Sequence, residues 1–219
     1  ERARRRYWAR SFAGWPFMAA RRPNAGHRAV AALEAAGLVS GVVTQNVDGL
    51  HQEAGSREVV ELHGSLREVR CLSCGTVEAR ASLQERLAAS NQGFLEAAPR
   101  YAPDGDADVP EDVVAAFRVA PCAVCGGVLK PQVVFFGENV PRPTYEAARG
   151  MVDAARSLLV VGSSLAVRSG YRFVLQAKEA GKPVAVLNDG PTRADGEADL
   201  KVEGRLGELL PTLAALAAA

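Results

Sequence analysis

The chain has no apolar run long enough to cross a bilayer; its longest, such as SLLVVG at 157–162, match buried strands. No membrane partner is therefore expected. It also has almost no net charge. Its 26 Lys and Arg offset 25 Asp and Glu, for a formal +1. That balance supplies no broad attraction to nucleic acid or anionic lipid. Internal repeats are absent, and the alanine-rich C-terminus is the one low-complexity stretch. An apolar content of 48% at near-zero net charge excludes disorder of the chain as a whole. The first residue is Glu1, not Met, so the chain reads as a fragment or trimmed product, and a missing targeting signal proves little. Cysteine is scarce: four residues, without the other features of a secreted disulfide scaffold. At 219 residues the chain can bury a core without such staples.

What is present has an order. The basic opening, ERARRR, reads as a charged helix start before the amphipathic stretch YWARSFAGW rather than as a nucleic-acid arm. Asn24 is placed to cap a helix through HRAVAALEAA that stops at Gly37. Short strands are expected at VVT (42–44) and VVELHG (59–64), with a loop or short helix at 47–57 between them. Beyond Lys130, VVFFG reads as a strand or extended loop. TYEAARGMVDAA then reads as a helix, SLLVVGSS as a strand, GYRFVLQAKEAG as a helix, PVAVLN and DLKVEG as strands, and RLGELLPTLAALAAA as a final helix containing Pro211. Strands alternating with amphipathic helices predict an α/β fold with a parallel sheet covered on both faces. A cysteine-bearing stretch, 66–130, interrupts the series. It reads as a small module inserted into a larger domain formed by 1–65 and 131–219.

The cysteines form two pairs, Cys71-x-x-Cys74 and Cys122-x-x-Cys125, each followed by glycine. Such pairs make a closed, tetrahedral, structural zinc site. The 47 intervening residues exceed a compact ribbon, and the Pro- and Gly-rich stretch at 91–112 accounts for that length. Two disulfides or a redox pair are the competing readings. A redox C-x-x-C normally stands once, beside a βαβ start.

Three strands end in small or polar residues. VVT runs into Gln45-Asn46, LLVV into Gly162-Ser163-Ser164, and VAVL into Asn188-Asp189-Gly190. Ligands of open parallel sheets bind beyond the carboxyl ends of strands, and a GSS turn before a helix offers backbone N–H groups to phosphate. Of three histidines, His27 reads as structural or surface, and His51 is open. His63 ends a strand at the junction of the two modules. It is either a structural histidine or a general base working near neutral pH.

These residues carry a resemblance. Thr44-Gln45-Asn46-Val47-Asp48, Leu50-His51, Glu61-Leu62-His63-Gly64 and the cysteine pairs resemble the sirtuins in order and spacing. So do Lys130-Pro131-Gln132-Val133-Val134-Phe135-Phe136-Gly137-Glu138, Gly162-Ser163-Ser164-Leu165 and Leu187-Asn188. The opening, the long insert and GYRF after GSSL are most similar to the class II subgroup, which has a mitochondrial member and bacterial relatives. The resemblance implies a Rossmann-like sheet domain with an inserted zinc-binding module. It also implies NAD-dependent removal of acyl groups from protein lysines. The acyl oxygen attacks the ribose carbon bearing nicotinamide, which leaves. His63 then deprotonates a ribose hydroxyl, and the products are lysine, nicotinamide and O-acyl-ADP-ribose. On this resemblance His63, Asn46 and Asp48 are catalytic, with Asp48 on the nicotinamide carboxamide. Gln45, Asn46, Val47, Asp48, Gly162, Ser163, Ser164, Asn188, Asp189, Gly190 and Leu206 hold NAD. Cys71, Cys74, Cys122 and Cys125 hold one zinc ion. Val134 and Phe135 line an apolar tunnel for acyl-lysine, where a substrate backbone can add as a strand.

One family feature is not found. Sirtuins open with a glycine-rich strand–loop–helix, GAGxS, and no GAG triplet occurs here. The expectation is that it lies upstream of Glu1. That leaves three further readings of the same residues: a protein mono-ADP-ribosyltransferase, a non-catalytic acyl-lysine binding module, and a zinc-ribbon nucleic-acid binder disfavoured by the charge. A cytoplasmic location is expected, with the mitochondrial matrix as the alternative. The preferred acyl group and the oligomeric state are not legible.

Overall fold

A computed structural model describes residues 1–95 and 109–217. Most of the Pro- and Gly-rich insert expected at 91–112 lies outside the described residues. In chain order the elements are α1 (Arg2–Ala19), α2 (Ala25–Ala35), β1 (Val42–Thr44), α3 (Leu50–Glu53), β2 (Val59–Glu61), β3 (Gly64–Cys71), β4 (Val77–Ala79) and α4 (Arg80–Ser90). They continue with α5 (Glu111–Ala116), β5 (Leu129–Val133), α6 (Arg142–Ala154), β6 (Leu158–Val161), α7 (Arg168–Glu179), β7 (Val184–Asn188), β8 (Leu200–Glu203) and α8 (Leu206–Ala217). They fall into two compact units. One holds residues 1–21 and 65–133, the other 22–64 and 134–219.

The first unit carries the cysteines and a three-stranded sheet of order β4–β3–β5. β3 pairs antiparallel with β4, Val69 opposite Glu78. Over this sheet lies a core of Trp8, Phe12, Val69, Leu83, Leu87, Phe94, Val114, Phe117 and Leu129, with Cys71 and Cys122 in the same cluster. Phe94 and Phe117 meet edge to face at 4.9 Å, and Phe12 lies 5.7 Å from Phe94. Helix α1 forms because Trp8, Ala9, Phe12 and Ala13 recur at helical spacing and bury one face, while Arg2 and Arg6 stay on the outer one. The sequence division grouped residues 1–65 with the larger domain; α1 instead belongs to the cysteine unit. The physical reason is burial. Two aromatic side chains at 1% exposure complete a core that short strands alone could not enclose.

The second unit is the α/β one. β6–β7–β8 are parallel and adjacent in sequence order, with Val160 opposite Val186 and Val186 opposite Lys201. β1 and β2 form a separate parallel pair, Val43 opposite Val60. Among the described residues no ladder joins the two sheets. They share one core of Leu62, Val152, Val160, Phe173, Val174, Val184 and Val186, with Val43 and Val60 against it. Parallel strands read as continuous apolar runs, which is what LLVV and VAVL are, although Leu159 on one face of β6 is exposed. Asn24 caps α2 as expected. Its side chain accepts from the His27 N–H, and the His27 ring reaches back to the Asn24 N–H. Ala29 of α2 and Leu210 of α8 pack on Leu187 of β7. Pro211 sits inside α8 without ending it.

For VVFFG the sequence leaves a strand or an extended loop open; the strand stops at Val133, and the rest is a loop that turns away. The Glu138 carboxylate accepts from the Phe135 N–H, and the Glu138 N–H donates to the Phe135 carbonyl. A left-handed Gly137 (φ 90°) closes that turn. Phe136 is consequently fully exposed.

Candidate active site and metal centre

The two C-x-x-C segments fold into matched knuckles. The Gly75 N–H donates to the Cys71 carbonyl and the Gly126 N–H to the Cys122 carbonyl, each glycine being left-handed at 75° and 73°. The Ser73 and Val124 N–H groups, two residues after the first cysteine of each pair, point at the Cys71 and Cys122 sulfurs, both at 3.4 Å. All four Sγ atoms lie within 4.8 Å of one another. The Cys71–Cys125 and Cys74–Cys122 separations are 3.5 and 3.8 Å. A tetrahedron of thiolates around zinc has sulfur edges of about 3.8 Å, from a Zn–S bond of about 2.3 Å. None of the four is in a disulfide. The thiols divide their charge unequally. The Thr76 hydroxyl and backbone N–H draw Cys74 down to about 6, and hydrogen bonding to Cys74 pushes Cys125 up to about 12. A dication that accepts four thiolates removes that conflict, so the donor set fits one structural zinc ion. Gly127 keeps the centre compact. A Cβ there would sit 2.5 Å from the Ser73 hydroxyl and 3.0 Å from the Cys71 sulfur.

The other candidates all lie in the α/β unit. Its strand ends converge. Gln45, just after β1, accepts at Oε1 from the Ser163 hydroxyl at 3.1 Å, which ties the first strand end to the turn after β6. The Gly162 N–H donates to the Leu187 carbonyl at 3.0 Å, tying that turn to the end of β7. Asn188, buried at that end, donates from Nδ2 to the Gly190 carbonyl at 3.1 Å. Gly190 is left-handed at φ 104° and Asp189 is exposed between them. The Ser164 carbonyl accepts from the Arg193 N–H, which brings the loop after β7 to the GSS turn. That loop is braced by Asp195, whose carboxyl is held down to about 2 by Lys201 and the Thr192 hydroxyl.

The GSSL turn itself is strained. Leu165 is the one non-glycine residue with positive φ among the described residues, at 54°. It is buried in the unit's core, which holds it in that conformation. Gly162 has φ 60°, and a Cβ on it would sit 2.5 Å from a terminal carbon of Leu206, the first residue of α8. Asn46 is exposed, its N–H donating to Thr44 Oγ1. Val47 and Asp48 are half-buried, and Asp48 Oδ1 accepts from the N–H of Leu50, the first residue of α3, at 3.0 Å.

His63 follows β2, half-buried. Its carbonyl accepts from the Val134 N–H at 2.9 Å, which places Val134 beside it and Phe135 next in line, about a third exposed. Its Nε2 lies 2.8 Å from the Ser169 hydroxyl at the start of α7. The structure thus brings Gln45, Ser163, Gly162, Leu187 and Leu206 into one chain of contacts, with Asn188 next to Leu187 and bonded to Gly190, and His63 and Val134 into another.

A sequence profile of the Sir2 family matches residues 1–169. The chain belongs to the Sir2 family. It is 59% identical over 212 residues to NAD-dependent protein deacetylase 1 of Streptomyces coelicolor, covering 97% of this chain and 71% of that one. It is 50% identical over 210 residues to the human NAD-dependent protein lipoamidase sirtuin-4, mitochondrial, covering 96% of this chain and 67% of that one. Among solved structures, a Sir2 bound to acetylated peptide superposes with a TM-score of 0.75 at 30% identity, over 92% of this chain and 73% of that chain. A Sir2–p53 peptide–NAD+ complex gives 0.74 at 31%, over 92% and 72%.

Sequence reasoning passed over three features of this sirtuin. Ser169 touches His63, and Gly170 lies so close to Gln45 that a Cβ there would be 2.8 Å from Oε1. GYRF carries a subgroup resemblance, but nothing in the pattern ties RSGYRF to His63 or Gln45. The third is the pairing of His27 with His51, ring centroids 4.9 Å apart. They are 24 positions apart, and no local pattern joins them.

Proposed function

We infer that this chain removes acyl groups from lysine side chains of proteins with NAD as co-substrate, giving free lysine, nicotinamide and O-acyl-ADP-ribose. The observation that carries the reading is the hydrogen-bonded convergence of the ends of β1, β6 and β7 on the Gln45–Ser163 contact. Such a crevice at the carboxyl ends of parallel strands is where a dinucleotide binds. Bound NAD supplies a ribose carbon that carries a cationic leaving group, so no acid is needed for its departure.

The chain's own residues then have these roles. Gly162, Ser163 and Ser164 line the phosphates and ribose; the Gly162 N–H and the Ser163 hydroxyl are engaged by Leu187 and Gln45, and the Ser164 hydroxyl is a donor toward the cofactor. Asn188, Asp189, Gly190 and Leu206 attend the adenosine, and Gln45, Asn46 and Val47 the second ribose. Asp48 receives the nicotinamide amide. His63 takes a proton from a ribose hydroxyl at a ring nitrogen, which lets that oxygen attack the acyl carbon. Val134 and Phe135 form an apolar channel for the uncharged acyl-lysine. The four cysteines hold zinc as a structural ion. Its closed thiolate shell leaves no open position for a reactant.

No helix among the described residues is long and apolar enough to cross a membrane. We place the protein in the cytoplasm, since the bacterial relative named above is more similar to it than the mitochondrial one. The test incubates protein from the complete reading frame with NAD and a panel of acetyl-, longer acyl- and lipoyl-lysine peptides, followed by mass spectrometry. Deacylated peptide with O-acyl-ADP-ribose is expected, and His63→Ala should lower turnover by roughly 10²–10⁴. ADP-ribose attached to protein, with no peptide deacylated, would replace this reading with the transferase one.

A further inference from the structure

We propose that Ser169 is a positioning residue for His63, a role that rests on His63 being the general base. An imidazole hung on two rotatable bonds can present either nitrogen and sweep its ring plane; a base must aim one lone pair at one hydroxyl. Two contacts limit that freedom here. The His63 carbonyl is pinned by the Val134 N–H at 2.9 Å, which fixes the backbone the ring hangs from. The Ser169 hydroxyl reaches Nε2 at 2.8 Å, which fixes the ring itself.

The support behind Ser169 is rigid. It sits in the first turn of α7, whose Phe173, Val174 and Ala177 are buried in the core of the unit. The next residue, Gly170, is in contact with the Gln45 side chain. One helix start therefore seats two side chains of the site, His63 through a hydroxyl and Gln45 through the lack of a Cβ.

A neutral imidazole has one lone pair, and a hydroxyl donating to Nε2 would occupy it. The working arrangement is the tautomer whose Nε2–H donates to the Ser169 hydroxyl, which leaves the Nδ1 lone pair for the ribose hydroxyl. The same bond persists once Nδ1 has taken the proton, so Ser169 fixes both the tautomer and the aim of the base.

The test compares Ser169→Ala, Ser169→Thr and His63→Ala with the parent protein. kcat, KM for NAD and KM for the acyl peptide are measured for each. Ser169→Ala is expected to lower kcat roughly tenfold with both KM values within about twofold. Ser169→Thr, which keeps the hydroxyl, should restore kcat. A Ser169→Ala protein with unchanged kcat would overturn the proposal. So would a loss of activity in Ser169→Ala that the threonine variant does not repair while both variants melt at the parent temperature. Activity retained in His63→Ala would instead remove the reading on which the proposal stands.

Discussion

His27 and His51 meet with tilted rings, centroids 4.9 Å apart, beside the loop that carries Asp48, and burial lowers the proton affinity of both rings below the ordinary histidine value of 6.5. The His27 ring also disfavours charge on His51, while Asp48 opposes the lowering at both rings and Arg28 adds to it at His27. The His51 Nδ1 is buried without a hydrogen-bond partner, so a proton placed there meets no acceptor. The sign follows. A histidine whose affinity falls on folding is stabilising while neutral, above about pH 6.5, and that contribution is lost as pH falls from there through the lower folded value. The melting temperature should therefore drop between pH 7 and pH 5, more steeply than carboxylate titration alone gives. His51→Phe keeps a ring against His27 and removes one proton site, so its melting temperature should vary less over that interval. An identical slope in the variant would show that the pair does not titrate with folding.

At the scale of elements, the regular half of the chain was readable because its chemistry is local. VVT, LLVV and VAVL announce parallel strands, Asn24 announces the start of α2, and the two cysteine spacings announce a centre whose four sulfurs do converge. What stayed hidden depends on contacts far apart in sequence. The Ser169–His63 bond spans 106 positions, and α1 joins its core through residues more than fifty positions away. Arg80 shows how α1 is held. Its guanidinium is buried, lies 5.6 Å from the Trp8 ring and 4.7 Å from the Trp15 ring, and donates to the Ser11 carbonyl and hydroxyl. Burial draws its proton affinity down to about 10, still charged at neutral pH. One guanidinium nitrogen, Nη1, has no partner, so part of the desolvation cost is not recovered. Packing of the buried side chain, its guanidinium against the two indoles, is then the larger contribution. Arg80→Ala should destabilise by about 2–4 kcal/mol in chemical unfolding, and Arg80→Met, which keeps the stem volume, by roughly half of that or less. Equal losses would place the stabilisation in the charge instead.

For the molecule as a whole, the division of labour between the two units sets what metal removal does. The residues proposed for catalysis and NAD binding all lie in the α/β unit, whereas the thiols lie in the other, where Cys71 and Cys122 share a core with Trp8 and Phe12. The chain has two tryptophans, Trp8 and Trp15, and both belong to α1. Indole emission is therefore a reporter of the cysteine unit alone. A structural zinc site of this kind supplies folding free energy on the order of 10 kcal/mol or more, and a small sheet with one aromatic core cannot replace it. Chelation should red-shift the emission as Trp8 leaves a site that is 1% exposed. One equivalent of zinc added under reducing conditions should reverse the shift. Circular dichroism should lose the part of the helical signal that α1, α4 and α5 carry, while α2, α6, α7 and α8 persist in a unit with cores of its own. Cys122→Ser should reproduce the shifted emission without chelator, because one thiolate fewer opens the shell. If chelation left the emission unmoved with zinc demonstrably gone, the core of Trp8, Phe12, Leu83 and Phe117 would be sufficient alone, and the four thiols would need a role other than holding the unit together.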